Sequence, residues 1–89
     1  MTQSANVWII DDDRSIRWVL ERALTQAGMQ PAVFESGDQV LARMAQEQPD
    51  AIISDIRMPG IDGITLLARI VEEHPDIPVI IMTAHSDLE

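Results

Sequence analysis

Val7-Trp8-Ile9-Ile10-Asp11-Asp12-Asp13 is the stretch on which the reading of this chain turns. Four consecutive apolar residues without polar alternation fit a strand buried on both faces of a parallel sheet, and the three acids mark its C-terminal end. Downstream, Ile16, Leu20, Ala23, Leu24 and Ala27 fall at helical spacing, with Asp13 or Ser15 available as N-cap and Gly28 as the stop. Ala32-Val33-Phe34 then reads as a short strand, and Pro31 before it suits a sheet edge. Ser36-Gly37-Asp38-Gln39 is the pattern of a capping box, Ser36 bonding forward and Gln39 reaching back. It opens a helix carrying Val40, Leu41, Met44 and Ala45 that Pro49 closes.

The same alternation continues to the end of the chain. Ala51-Ile52-Ile53-Ser54 is a third buried strand, again ending in an acid, Asp55. Residues 56–63 hold a proline and two glycines and form a shaped loop. A helix follows from about Ile64 through Leu67, Ile70 and Val71 to His74, stopped by Pro75. Pro78 to Met82 is a fourth strand, ending at Thr83, and Ser86 or Asp87 could cap a further helix. The order βαβαβαβ predicts an α/β domain with a doubly wound parallel sheet. Eighty-nine residues suffice for one such domain and are too few for two.

Composition narrows the chemistry. Without cysteine there are no disulfides, thiolate nucleophiles or thiolate zinc sites, and two histidines leave little for an imidazole cage. Six arginines against 15 acids, with no lysine, give a net charge of −9. Such a surface opposes direct contact with nucleic acid, which needs cations to displace counterions from phosphates. No apolar run approaches the roughly 18 residues of a membrane span. The N-terminal residues MTQSANVW carry no export pattern, so a cytoplasmic location without membrane contact is expected.

In an open parallel sheet with right-handed crossovers, every strand ends at the same edge, and ligands bind there. Strand one thus brings Asp11 and Asp12, strand three Asp55 and strand four Thr83 toward one pocket. Crowded carboxylates repel unless a cation or proton intervenes, and an all-oxygen donor set with room for water and phosphate favours Mg²⁺. A carboxylate there can attack phosphorus and become an acyl phosphate. Asp55, a single acid at the end of an apolar strand, is the candidate nucleophile, with Asp11 and Asp12 suited to holding the ion. The hydroxyl of Thr83 could donate to a phosphoryl oxygen. Each residue also has a plainer reading: Asp13 as helix cap, Asp62 as turn former before Gly63, Arg57 as a solvated loop residue, His74 and His85 as helix-end and loop residues, and Met44, Met58 and Met82 as packing. A calcium loop beginning at Asp11 fails, because Ile16 stands where glycine is needed and Arg22 where a bidentate Glu should be. Nucleotide-binding glycine loops and a GxSxG elbow are lacking as well.

Together, IIDDDRSIR, SDIRMPGIDG and PVIIMTAHSD, in this order and spacing, resemble the receiver domain of two-component response regulators, which has the flavodoxin-like, CheY-like fold. SIRWVLERAL, SDIRMPG and MTAHSDLE are similar, more narrowly, to the NtrC-like nitrogen regulators. The resemblance implies that Asp55 is the phosphoacceptor for a sensor histidine kinase and that Thr83 is the switch hydroxyl. It also implies that Asp11 and Asp12 support Mg²⁺ together with Asp55 and the backbone carbonyl of Arg57, the triple acid leaving Asp12 and Asp13 as an alternative pair. The chain is then a binding switch capable of self-phosphorylation and slow dephosphorylation, and not a turnover enzyme. The family's lysine, which follows a fifth strand, and its aromatic switch residue have no counterpart here. Residues 1–89 are therefore expected to be a partial receiver, strand order 2-1-3-4, lacking the fifth strand and last helices. The parent protein would carry the AAA+ ATPase that works with sigma-54 RNA polymerase and the DNA-binding domain. The uncovered fourth strand would invite self-association. Two rival functions share the fold: an Asp-nucleophile phosphatase, whose general acid would fall where Arg57 stands, and a non-catalytic flavodoxin-like adaptor.

Overall fold

The structure, a computed structural model, describes residues 4–55 and 63–82. It contains β1 (Asn6–Ile10), α1 (Arg14–Gln26), β2 (Gln30–Phe34), α2 (Gly37–Met44), β3 (Ala51–Asp55), α3 (Gly63–Glu73) and β4 (Val79–Met82). The strands form one parallel sheet in the order β2-β1-β3-β4, as expected. None of the helices among the described residues is long and apolar enough to cross a membrane.

Strand periodicity sorts the sheet's side chains between two layers. Trp8, Ile10, Phe34 and Ile52 meet Val40 and Met44 of α2, Leu66 and Ile70 of α3, and Ile77 ahead of β4. Trp8 and Phe34 stack obliquely there, with ring centroids 5.0 Å apart. Helix α1 lies against β1 and β2 on the opposite face, where Ile9 is fully buried. The wound topology thus covers both faces of β1, which explains why its apolar residues run consecutively.

Helix α1 is capped by Asp13, not Ser15: the Asp13 carboxylate accepts hydrogen bonds from Ser15 N (2.8 Å) and Ile16 N (3.4 Å). It ends in a full Schellman motif, with Met29 N donating to Leu24 O and Gly28 N to Thr25 O, and Gly28 at φ +87°. Its apolar stripe is nevertheless only partly covered: Ile16, Leu20 and Leu24 are half-buried, and Ala23 and Ala27 exposed.

Most element bounds fall within a residue of the sequence-based expectation, and the larger differences are at β2 and α2. β2 begins at Gln30, earlier than Ala32, because an edge position tolerates Pro31 within the strand. In the capping box, Ser36 Oγ accepts from Gln39 N as expected, at 3.4 Å, but the Gln39 side chain accepts from Glu35 N at 2.8 Å, one residue before the cap. Helix α2 closes at Met44, well ahead of Pro49. Gln46 N and Glu47 N both donate to Arg43 O, so the last turn unwinds before the proline could act on it. Pro49 is buried instead between α2 and β3, next to an anchoring pair in which Asn6 N donates to Asp50 Oδ2 and Asp50 N to Asn6 O, both 2.7 Å.

Candidate functional site

Parallel register brings the acids together. Ile10 is paired with Ser54, so one further step along each strand sets Asp11, just past β1, beside Asp55, the last residue of β3. One carboxylate oxygen from each of Asp11, Asp12 and Asp55 lies within 4.8 Å of the other two. Asp11 is 1% exposed and Asp55 3%, while Asp12 is exposed. Ser54 stabilises the end of β3 from within, its hydroxyl donating to Asp55 O at 3.0 Å.

Asp11 is the most constrained member. Its N–H donates to Phe34 O at 3.2 Å, fixing it to β2. Its Oδ1 accepts from Asp13 N at 2.8 Å, and its carbonyl accepts from Arg17 Nη1 at 2.6 Å. Its Oδ2 is buried and finds no hydrogen-bond partner among the described residues. Burial raises the Asp11 carboxyl above its ordinary value. The Asp13 N–H counteracts this, and the neighbouring charges of Asp55, Asp12 and Asp13 raise it further.

An orphan buried carboxylate oxygen costs about 1–3 kcal/mol, more when ionised. With two further carboxylates beside it, the arrangement suits a hard divalent cation that all three could share. Asp13 stands apart from the cluster because its carboxylate caps α1. Of the remaining expected site residues, Arg57 and Thr83 lie outside the described residues, as do Asp62, His85 and Met58. Met44 is buried in the core and Met82 half-buried on β4. His74 stands at the end of α3 with its Nδ1 3.2 Å from Gln48 Nε2.

Arg17 is the residue that sequence reasoning passed over. Its signal was its position four residues after the Asp13 cap: its N–H donates to Asp13 O, and the helical phase turns its side chain back toward the end of β1.

Comparison with known proteins agrees with this geometry. Residues 7–89 match the response regulator receiver domain family. The DNA-binding transcriptional regulator NtrC of Salmonella typhimurium is 60% identical over 87 residues, which are 98% of this chain and 19% of that protein. The beryllofluoride-activated NtrC receiver domain superposes with a TM-score of 0.79 at 60% identity, covering 98% of this chain and 70% of that one. The response regulator TrrA of Thermotoga maritima, in complex with Mg²⁺-BeF, gives 0.87 at 30% identity, covering 92% and 71%. The chain spans about a fifth of the length of the NtrC relatives it matches and, by its matched sequence and the sheet that carries its acids, belongs to the response regulator receiver domain family.

Proposed function

We propose that this chain is the phosphoacceptor of an NtrC-like two-component transcriptional regulator and that Asp55 takes a phosphoryl group from a sensor histidine kinase. The observation that carries the reading is the buried pair Asp11 and Asp55, meeting Asp12 within 4.8 Å, with Asp11 Oδ2 unpaired among the described residues. Held at the end of β3, an Asp55 carboxylate oxygen attacks phosphorus. The P–N bond of the phosphohistidine breaks, its electron pair returns to the imidazole, and an acyl phosphate forms. Asp11 and Asp12, with Asp55 and the carbonyl of Arg57, hold Mg²⁺. When bound, that ion supplies the positive charge that offsets the carboxylates and the incoming phosphoryl oxygens. The Mg²⁺-BeF complex of the Thermotoga relative supports the choice of ion.

Thr83 then donates its hydroxyl to the phosphoryl group and passes the change to the surrounding surface. In the parent protein the output is an ATPase acting with sigma-54 RNA polymerase and a DNA-binding domain, controlling nitrogen assimilation in the cytoplasm. Similarity to NtrC supports this assignment, and the charge of −9 is consistent with DNA contact residing elsewhere in the protein.

Incubation with Mg²⁺ and a small phosphodonor tests the reading. We expect a stoichiometric, acid-stable and base-labile phosphate that disappears in Asp55→Asn. Catalytic turnover would identify the phosphatase instead, and an inert protein the adaptor.

A further inference from the structure

Arg17 sits beside an acidic cluster in a chain of net charge −9, yet among the described residues it pairs with no carboxylate; the ion pairs there are Arg43–Glu47 and Arg69–Glu73. Its half-buried guanidinium instead donates through Nη1 to the main-chain carbonyl of Asp11 at 2.6 Å. That carbonyl belongs to the peptide linking Asp11 to Asp12, the two acids that leave β1 for the cluster. Two other bonds complete the corner, Asp11 N to Phe34 O and Asp13 N to Asp11 Oδ1. With the Arg17 contact, residue 11 is held at its N–H, its carbonyl and one carboxylate oxygen, and among the described residues only its Oδ2 has no partner.

We propose that Arg17 is a positioning residue for the cation site: by clamping the Asp11 carbonyl it fixes the Asp11–Asp12 peptide and sets how tightly the three acids take a divalent ion. The inference rests on the cation-binding reading of Asp11, Asp12 and Asp55. Binding a carbonyl is what makes the arrangement effective. A guanidinium paired with Asp11 or Asp12 would occupy the oxygens the ion needs, whereas one bonded to the peptide orders the acids and leaves their charge free. Arginine suits the task because its planar fork is pre-organised, whereas a lysine would offer a flexible point charge. Supporting groups behind ligands commonly govern affinity in this way.

The test is an equilibrium Mg²⁺ titration of the intact protein read by tryptophan fluorescence, with Trp8 on β1 and Trp18 adjoining Arg17 as reporters. Arg17→Met is expected to weaken Mg²⁺ binding about tenfold, and Arg17→Lys to recover part of the loss. Leu24→Ala, which loosens α1 away from the site, should leave the affinity unchanged. Unfolding curves accompany each variant, and Arg17→Gln replaces Arg17→Met if the latter does not unfold cooperatively. A wild-type protein that binds no Mg²⁺ overturns the functional reading and this inference with it. Wild-type binding with an unaltered affinity in folded Arg17→Met overturns this inference alone. So does an equal loss in Leu24→Ala, or failure of both the Met and Gln variants to fold, because Arg17 would then be serving stability.

Discussion

Asp11 makes the metal-free fold pay for its site. Burial and three neighbouring acids hold its carboxyl above the ordinary 3.8, so in the folded state it keeps its proton at pH values where the unfolded chain has lost it. The sign follows: stability falls as pH rises from 3.8 through the raised native value, and above that value the whole penalty is present. Asp11→Asn should therefore be more stable than wild type at pH 7 in chelator, with the gap closing below pH 3.8. Urea midpoints at several pH values measure this directly, and a less stable Asn variant at pH 7 would contradict it. Mg²⁺ should reverse the order, raising the wild-type midpoint by mass action and leaving Asp11→Asn nearly unmoved. The convergence of Asp11, Asp12 and Asp55 was legible in the sequence, because each follows an apolar run and parallel strands end together. Which residue caps α1 was not: Asp13 and Ser15 both suit an N-cap, and the hydrogen bonds that Ser15 N and Ile16 N donate to the Asp13 carboxylate decide for Asp13.

The ends of helices are where local sequence and tertiary packing compete. At α1 they agree: Gly28 adopts φ +87° and both bonds of its Schellman motif form. A Cβ at Gly28 would meet nothing within 4 Å, so the cost of Gly28→Ala is conformational alone. We expect a loss of about 1 kcal/mol, seen as a lower urea midpoint at unchanged slope, with Gly28→Asn costing less. At the other end of α1, Asp13→Ala should cost a similar amount, about 1 kcal/mol, by freeing the Ser15 and Ile16 amides. Helix α2 shows the limit of such signals. Its capping residues were recognisable, but a glutamine side chain can reach either of two adjacent amides, and Gln39 takes that of Glu35. Proline likewise marks where a helix cannot continue and not where it stops, so the bonds to Arg43 O close α2 before Pro49. Strand order was legible in part: Pro31 signalled that β2 lies at an edge, whereas the full order β2-β1-β3-β4 was implied by the resemblance to receiver domains, because right-handed crossovers alone leave other orders open.

At the scale of the whole molecule, apolar surface and net charge act against each other. β4 is an outer strand, and among the described residues nothing pairs with its far edge. Ile80 on it is 55% exposed, and Trp18 and Val19 on α1 are exposed at 57% and 54%. An apolar edge strand is a template for pairing with a second copy, whereas a charge of −9 on each copy keeps them apart. Salt decides between the two, since repulsion across a surface is screened within about 8 Å at physiological ionic strength and apolar contact is not weakened. For the 89-residue chain studied alone, sedimentation should give a mass that rises with protein concentration, and more steeply at about 0.5 M than at about 0.05 M salt. Ile80→Lys should abolish the rise at both salt levels by placing a charge on the edge, while shifting stability by no more than about 0.5 kcal/mol because the side chain is largely in solvent. A mass that stays monomeric and independent of concentration at high salt would show that β4 does not recruit a second copy. Association that weakens as salt rises would point to paired charges, and not the apolar edge, as its source.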